Sequence, residues 1–238
     1  MAGMTEFSSK TIFVGNVKGG VGKSTLTVYL TDYLRRCFPT HRISAIDTDP
    51  QGTAFELLEP VMPEGAARFV PVGDRFDGVN LSTLDGVLRQ LLSHNAAITM
   101  VDTGGGQLGS FWRMMSLSSA LVVPTSMSWT DLRPTIEFIK EIDERKVDFN
   151  TLTPHVIVVP NRVSPNQRNF RVIADALSDV NVVLAPPISE LVVARGYGQE
   201  FGGMTEVNGT RFHQEIARLG DFLIEYVVSG KLDEMYSG

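Results

Sequence analysis

The chain has 238 residues, of which 43% are hydrophobic and 20% charged, and its formal net charge is −6 at pH 7. This composition is typical of a globular protein with a sizeable core. The length favours one domain over residues 1–238, with residues 1–10 as a flexible N-terminal segment. The acidic balance argues against nucleic-acid binding over the whole surface, but it does not exclude a local basic patch.

Cysteine content and apolar runs restrict the cellular setting. The single cysteine, Cys37, excludes a disulfide framework and a cysteine metal cluster within one chain. It lies in an apolar helical pattern, which predicts a core position. The N-terminal residues contain no apolar signal segment, and no run approaches the ~20 apolar residues that span a membrane. We therefore expect a soluble cytoplasmic protein with no membrane partner.

Short apolar runs alternate with longer helical patterns along the chain. The first run, Thr11–Val17, leads into a glycine-rich loop and then into a helical pattern. Helices are also predicted over Asp131–Lys146, with Asp131 as N-cap and Pro134 in the first turn, and over Arg211–Val228. The later runs that predict strands are Ile43–Asp49, Ala67–Val72, Ala97–Thr103, Ala120–Ser126, His155–Asn161 and Asn181–Ser189.

This alternation predicts an α/β fold. The apolar runs are continuous, as is typical of strands covered on both faces, so we expect a mostly parallel twisted sheet with helices on both faces. In such sheets ligands bind at the carboxyl ends of the strands. The polar residues that follow each run are therefore the candidate functional residues.

The loop after the first strand reads NVKGGVGKST, from Asn16 to Thr25. It departs from the phosphate-binding pattern G-x-x-x-x-G-K-S/T at Val17, and a second lysine, Lys18, follows. Lys23 would reach the β- and γ-phosphates, and the Ser24 hydroxyl would ligate Mg²⁺. The strand–loop–helix context favours a nucleotide site over an unrelated glycine turn. The predicted nucleotide-binding residues of the loop are Gly19, Gly20, Val21, Gly22, Lys23, Ser24 and Thr25.

Residues Lys18–Ser24 fit the pattern K-G-G-x-x-G-K-S/T at every fixed position. The chain thereby resembles the deviant Walker A ATPases of the ParA/MinD type, a class of P-loop NTPase. The resemblance implies an ATP-dependent homodimer in which Lys18 contacts the phosphates bound by the partner. It also implies that Val17 is tolerated. A solvated surface lysine is the alternative reading of Lys18.

Acidic residues follow two of the predicted strands. In the segment AIDTDPQG, the resemblance implies that Asp47 belongs to the Mg²⁺ shell and that Asp49 positions the hydrolytic water. The segment ITMVDTGGG resembles a Walker B strand, whose Asp102 binds Mg²⁺ through a water near Ser24. It continues with Gly104–Gly106 where the family usually has a proline-containing stretch. Three glycines predict a mobile loop suited to sensing the γ-phosphate.

Residues late in the chain match the family more loosely. The resemblance implies that Asn161 reads the adenine edge, with Arg162 beside it and Pro187 near the base. ParA-type proteins bind DNA without sequence preference through late basic residues, and acidic residues are interspersed here, so salt-bridged surface arginines are an equal alternative. The DNA-binding candidates are Arg195, Arg211 and Arg218, with Arg162, Arg168 and Arg171 as further basic residues.

The resemblance implies a Mg²⁺-dependent ATPase that hydrolyses ATP to ADP and phosphate in order to position cargo. Plasmid or chromosome partition is the first expectation, with a cargo-bound activating partner protein and nucleoid DNA as partners. A conjugation-linked or protein-cluster-positioning ATPase is the alternative within the family. The alternative from another class is a small metabolic ATP-dependent synthetase, against which Lys18 counts because synthetases of this fold generally lack that lysine.

Overall fold

Parallel strands form the centre of the computed structural model, which describes residues 9–72, 96–105, 118–149, 155–164, 170–189 and 208–235. Within these ranges the sheet has seven strands in the order β3-β2-β4-β1-β5-β6-β7, and each neighbouring pair is parallel. The strands are β1 Lys10–Val14, β2 Ile43–Asp47, β3 Ala67–Phe69, β4 Ile98–Asp102, β5 Ala120–Thr125, β6 His155–Pro160 and β7 Val182–Leu184. The predicted parallel sheet is confirmed.

Helices connect the strands. Those in the described residues are α1 Lys23–Cys37, α2 Thr53–Leu58, α3 Trp129–Phe149, α4 Arg171–Ala176, α5 Arg211–Leu223 and α6 Lys231–Met235. Helix α5 continues into a π-helical turn, Ile224–Val228, so the predicted helix over these residues is present with a change of winding at its end. Among the described residues, no helix is long and apolar enough to cross a membrane.

Both faces of the sheet are covered, because successive residues of each strand enter different cores. In β1, Ile12 and Val14 belong to the cluster formed with α1 and α5, whereas Phe13 belongs to the cluster formed with α3 and α4. All three are fully buried. This two-sided burial explains why the strands read as continuous apolar runs.

The structure corrects the predicted start of α3. The helix begins at Trp129, and the carbonyl of Ser128 accepts the N–H of Leu132 at 2.8 Å, so Asp131 lies inside the first turn and is not the N-cap. Pro134 consequently lies in the second turn. Its missing N–H leaves the helix without one backbone hydrogen bond, which a long helix can tolerate near its start.

Cys37 is also corrected, since it is exposed and not part of the core. It is the last residue of α1, and the buried side of that helix ends one turn earlier at Leu34. Helical spacing alone gives no sign of where a helix leaves the protein body.

Candidate functional site

The carboxyl ends of three neighbouring strands lie level with one another. In the sheet register Asp102, the last residue of β4, stands opposite Val14 of β1 and Asp47 of β2. The loop that follows β1 therefore emerges beside the buried carboxylate of Asp102, with that of Asp47 one strand further along. This is the edge at which open parallel sheets bind ligands.

The loop itself, residues 15–22, turns through two left-handed glycines. Gly20 has φ 76° and Gly22 has φ 95°, which residues with a side chain rarely adopt. Among the described residues, no acceptor takes the backbone N–H groups of Gly22, Lys23 or Ser24. Free donors at the N-terminus of the 15-residue helix α1 fit a phosphate group.

Lys23 lies inside this loop. Its side chain is buried, and Nζ donates to the carbonyl oxygen of Lys18 at 3.1 Å. Burial lowers the pKa of Lys23, while the nearby carboxylates of Asp102 and Asp49 oppose that shift. The Lys23 ammonium group therefore lies against the backbone of the loop, as the sequence predicts.

Ser24 and Asp102, the residues predicted to hold Mg²⁺, are in direct contact. Ser24 Oγ donates to Asp102 Oδ2 at 2.6 Å, and Thr27 Oγ1 donates to Oδ1 at 3.0 Å. Burial raises the pKa of Asp102 to about 7, against the lowering effect of the Ser24 and Thr27 hydroxyls. A hydroxyl and a carboxylate held together beside a phosphate loop fit Mg²⁺.

Asp47 and Asp49 play different structural parts. Both oxygens of the buried Asp47 accept backbone N–H groups, from Asp49 and from Phe55, each at 2.9 Å. Asp47 therefore shapes the turn and the start of α2, and burial raises its pKa. Asp49 is half-buried, and its charge acts on Lys23. The Mg²⁺ role of Asp47 and the water-positioning role of Asp49 stay predictions.

The glycines after β4 contact the phosphate loop. A methyl group added at Gly105 would lie 3.4 Å from Gly19 N and 3.5 Å from Lys23 Nζ. Thr103 fixes the start of this segment, since its Oγ1 donates to the carbonyl of Val14 at 3.0 Å. These are ordinary contact distances, so Gly105 lies directly beside Lys23, and its role in sensing the γ-phosphate stays a prediction. Gly106 lies outside the described residues.

Lys18 is partly exposed and paired within its own chain. Its Nζ lies 3.5 Å from Asp131 Oδ1, and Asp131 Oδ2 accepts a hydrogen bond from Ser126 Oγ at 2.8 Å. Lys18 therefore differs from Lys23, which is buried in the loop. Its contact with a partner's phosphates stays a prediction.

Sequence reasoning did not single out Asn16, although it fixes the start of the loop. Its Nδ2 donates to the carbonyl of Pro124 at 2.8 Å and to Thr135 Oγ1 at 2.9 Å, and its Oδ1 accepts the Lys18 N–H at 3.0 Å. The signal was present, because an asparagine within an apolar run is expected to be buried and must then find hydrogen-bond partners.

The residues predicted to bind the base lie on the same edge of the sheet. Asn161 follows β6 and is buried, with Nδ2 donating to the Val21 carbonyl at 2.7 Å. Arg162 is exposed and has a left-handed φ of 56°. Pro187 is exposed, and the next residue, Ile188, donates its N–H to the Pro160 carbonyl at 2.8 Å. Base recognition by these residues stays a prediction.

The DNA-binding candidates divide in the structure. Arg211 and Arg218 are both exposed on α5, but Arg211 Nε donates to the buried carboxylate of Glu215 at 2.8 Å. The same exposed side of the helix continues with Asp221 and, in the π-helical turn, Glu225. This surface therefore carries charges of both signs. Arg195 and Arg168 lie outside the described residues.

Fold and site together define a P-loop nucleotide-binding protein. The chain belongs to the CobQ/CobB/MinD/ParA nucleotide-binding domain family, whose model matches residues 12–195. The predicted family is confirmed, and with it the class of deviant Walker A ATPases. No curated protein sequence matches the chain significantly.

Solved structures of low sequence identity share the fold. An ATP complex of a McdA variant from Cyanothece has a TM-score of 0.69 at 16% identity, covering 92% of this chain and 96% of that chain. The MinC:MinD cell division complex of Aquifex aeolicus gives 0.65 at 18% identity, with 91% and 96% coverage. Cobyrinic acid a,c-diamide synthase of Mycobacterium smegmatis, with an ATP analogue and magnesium, gives 0.66 at 17% identity, with 93% and 96% coverage.

Proposed function

We propose that this chain is a Mg²⁺-dependent ATPase that dimerises when it binds ATP, hydrolyses the ATP to ADP and phosphate, and uses this cycle to position or segregate cargo. DNA partition is the first cargo proposed. The observation that carries the proposal is the different placement of the two loop lysines. Lys23 is buried in the loop, whereas Lys18 is 40% exposed and reaches outward to Asp131.

The residues of one chain suffice to bind the nucleotide. The N–H groups of Gly22, Lys23 and Ser24, which have no acceptor among the described residues, would bind a phosphate, and the Lys23 ammonium would supply the positive charge. Ser24 and Asp102 would hold Mg²⁺, which neutralises charge on the phosphate oxygens. Asp49, half-buried and electrostatically coupled to Lys23, is proposed to orient the attacking water.

Lys18 is left over after these roles are filled. It lies at the rim of the loop, and a 3.5 Å ion pair between partly exposed groups is weak enough to exchange for a phosphate. A second copy facing this rim would bring its own phosphates within reach of Lys18. We therefore assign Lys18 to catalysis and dimer assembly in trans.

The proposed cargo role rests on family membership and on Lys18, a lysine that synthetases of this fold generally lack. The family includes both positioning proteins and cobyrinic acid synthases, and the fold is common to both groups. The second lysine favours the positioning class. A cargo-bound partner protein would then stimulate hydrolysis, and non-specific DNA would serve as the track. A conjugation-linked or protein-cluster cargo is the alternative within this class.

An activity assay separates the two classes. A positioning ATPase hydrolyses ATP slowly without any acceptor substrate and forms a dimer with ATP but not with ADP. A synthetase requires an acceptor and shows no such change in mass. Hydrolysis and light scattering measured on the same purified sample, with Mg·ATP and with Mg·ADP, decide between them.

A further inference from the structure

Asn161 is better placed to act on the phosphate loop than on a base alone. Its side chain is buried, and each end of the amide already has a partner. Nδ2 donates to the carbonyl of Val21 at 2.7 Å, and Oδ1 accepts the N–H of Arg162 at 3.0 Å. The bond to Val21 joins residues 140 positions apart in the sequence.

The partner that Asn161 holds is a functional peptide unit. In a planar trans peptide, the carbonyl of one residue and the N–H of the next point in opposite directions. Fixing the Val21 carbonyl towards Asn161 therefore turns the Gly22 N–H away from Asn161. That N–H is one of the donors without an acceptor among the described residues.

Close packing strengthens this restraint. A methyl group added at Gly22 would lie 2.3 Å from Asn161 Nδ2, so the amide fills the space beside the loop backbone. Gly22 is in turn the N-cap of α1, and its carbonyl accepts the N–H of Leu26 at 3.0 Å. The contact thus bears on the residue directly before Lys23 and Ser24.

Asn161 is itself held in place from the sheet. Its backbone N–H donates to the carbonyl of Thr125, the last residue of β5, at 2.7 Å. The other end of the amide is held as well, because Asn161 Oδ1 accepts the N–H of Arg162 at 3.0 Å. A side chain fixed in this way can position another group at little entropic cost.

We infer that Asn161 is a positioning residue for phosphate binding, which orients the Val21–Gly22 peptide so that the Gly22 N–H meets the nucleotide's phosphates. The inference rests on the proposed nucleotide site and deepens it. It predicts that Asn161 governs the affinity for any ligand with a triphosphate group, whether or not that ligand carries a base. One N–H of the amide remains for a base, so this role and base reading are separable by experiment.

The probe that separates them is inorganic tripolyphosphate. We would measure the Kd of Mg·ATP and of Mg·tripolyphosphate for the wild type, Asn161→Ala and Asn161→Asp by calorimetry. The aspartate variant keeps the size of the side chain and the acceptor for the Arg162 N–H, but it replaces the donor to Val21 with a charged oxygen, so the uncharged alanine variant is the primary test. Asn181→Asp is the matched control, because Asn181 is exposed at the start of β7.

Both Asn161 variants are expected to weaken tripolyphosphate binding about tenfold, which is the loss of one buried hydrogen bond, with a similar loss for ATP. Backbone amides of residues 21–25 should also exchange faster with solvent in the variants. Unchanged tripolyphosphate affinity overturns the inference, whether ATP binding falls, as for a residue that only reads the base, or stays the same. If wild-type protein binds tripolyphosphate but never dimerises with ATP, the proposed function fails and this inference stands.

Discussion

Lys18 Nζ lies 3.5 Å from Asp131 Oδ1 in the same chain, and Asp131 is held in turn by the Ser126 hydroxyl. If Lys18 contacts a partner's phosphates, this internal pair must first open. The ion pair with Asp131 therefore limits how readily the Lys18 ammonium group becomes available to a partner. Since both groups are partly exposed, the pair contributes modestly to the free energy of the monomer.

Asp131→Asn is expected to favour the ATP dimer. Asparagine can still accept from Ser126 but no longer attracts Lys18, so the ATP concentration for half-maximal dimerisation should fall about two- to fivefold. Light scattering during an ATP titration measures this concentration. Glu137→Gln is the control, because it opens an exposed ion pair with Arg133 on the same helix. An unchanged titration midpoint for Asp131→Asn would show that the internal pair does not restrain Lys18.

Asp102→Asn is expected to stabilise the nucleotide-free protein above pH 7. Burial raises the pKa of Asp102 from 3.8 to about 7. The stability contributed by this group is therefore fully present below pH 3.8 and is lost as the pH rises to about 7. At pH 8 only the wild type carries this buried carboxylate, and we expect the variant's Tm to be about 3–6 °C higher.

Thermal unfolding at pH 5 and pH 8, without Mg²⁺ or nucleotide, measures this difference. The gain should shrink at pH 5, where the wild-type carboxyl is largely protonated. Adding Mg·ATP should reverse the order, because the variant loses the carboxylate that would hold Mg²⁺. A variant that is less stable than the wild type at both pH values contradicts the argument.

Alanine substitution should affect hydrolysis at Asp49 and the stability of the fold at Asp47. Asp49→Ala is expected to bind Mg·ATP within about threefold of the wild type and to lose hydrolysis by at least about tenfold, because the attacking water is no longer oriented. Asp47→Ala leaves the N–H groups of Asp49 and Phe55 without their buried acceptor. Its free energy of unfolding should therefore fall by about 1–3 kcal/mol.

Denaturant unfolding and phosphate release, measured on both variants, test this contrast. Full hydrolysis by Asp49→Ala would remove the proposed water-positioning role. An Asp47→Ala protein of unchanged stability would show that its two backbone contacts contribute little.

DNA binding is expected to require ATP and low salt. A dimer joins two weak sites into one stronger site, and binding weakens as salt rises because the release of counterions from DNA becomes less favourable. Arg218→Ala should weaken binding more than Arg211→Ala, because Glu215 already holds Arg211. Arg195→Ala belongs in the same series.

Isotherms with ATP and with ADP, at low and physiological salt, measure this binding. If the ATP form binds no DNA even at low salt, transport on the nucleoid is excluded. A protein scaffold or a conjugation-linked role then becomes the better account.

The strands and the phosphate site were accessible from sequence because local patterns determine them. The run Ile98–Asp102 reads as a buried strand, and Ser24 follows Lys23 in a motif whose spacing fixes both roles. Register in the parallel sheet then brings Asp102 to Ser24. This contact between residues 78 positions apart therefore follows from the motifs and the parallel sheet.

The polar contacts between distant elements were not accessible in this way. Asn161 could have faced a base or the loop, and only the folded chain brings it to Val21. The predicted start of α3 was wrong for a related reason. Aspartate is a common N-cap residue, but the side chain of Asp131 instead contacts Lys18 and Ser126. Cys37 fitted the helical spacing, yet the helix ends at that residue.

The central claim is that Lys18 acts across a dimer, and its most direct test is the mass of Lys18→Ala in sedimentation velocity with Mg·ATP and with Mg·ADP. Lys23→Ala, which should not bind nucleotide, and Lys140→Ala, which opens an exposed ion pair with Asp179, are the controls. We predict that the wild type and Lys140→Ala are dimers with ATP and monomers with ADP. Lys18→Ala should bind ATP within about threefold of the wild type and remain a monomer, because its in-chain phosphate contacts are intact while the trans contact is lost. A Lys18→Ala protein that dimerises with ATP like the wild type would contradict the account.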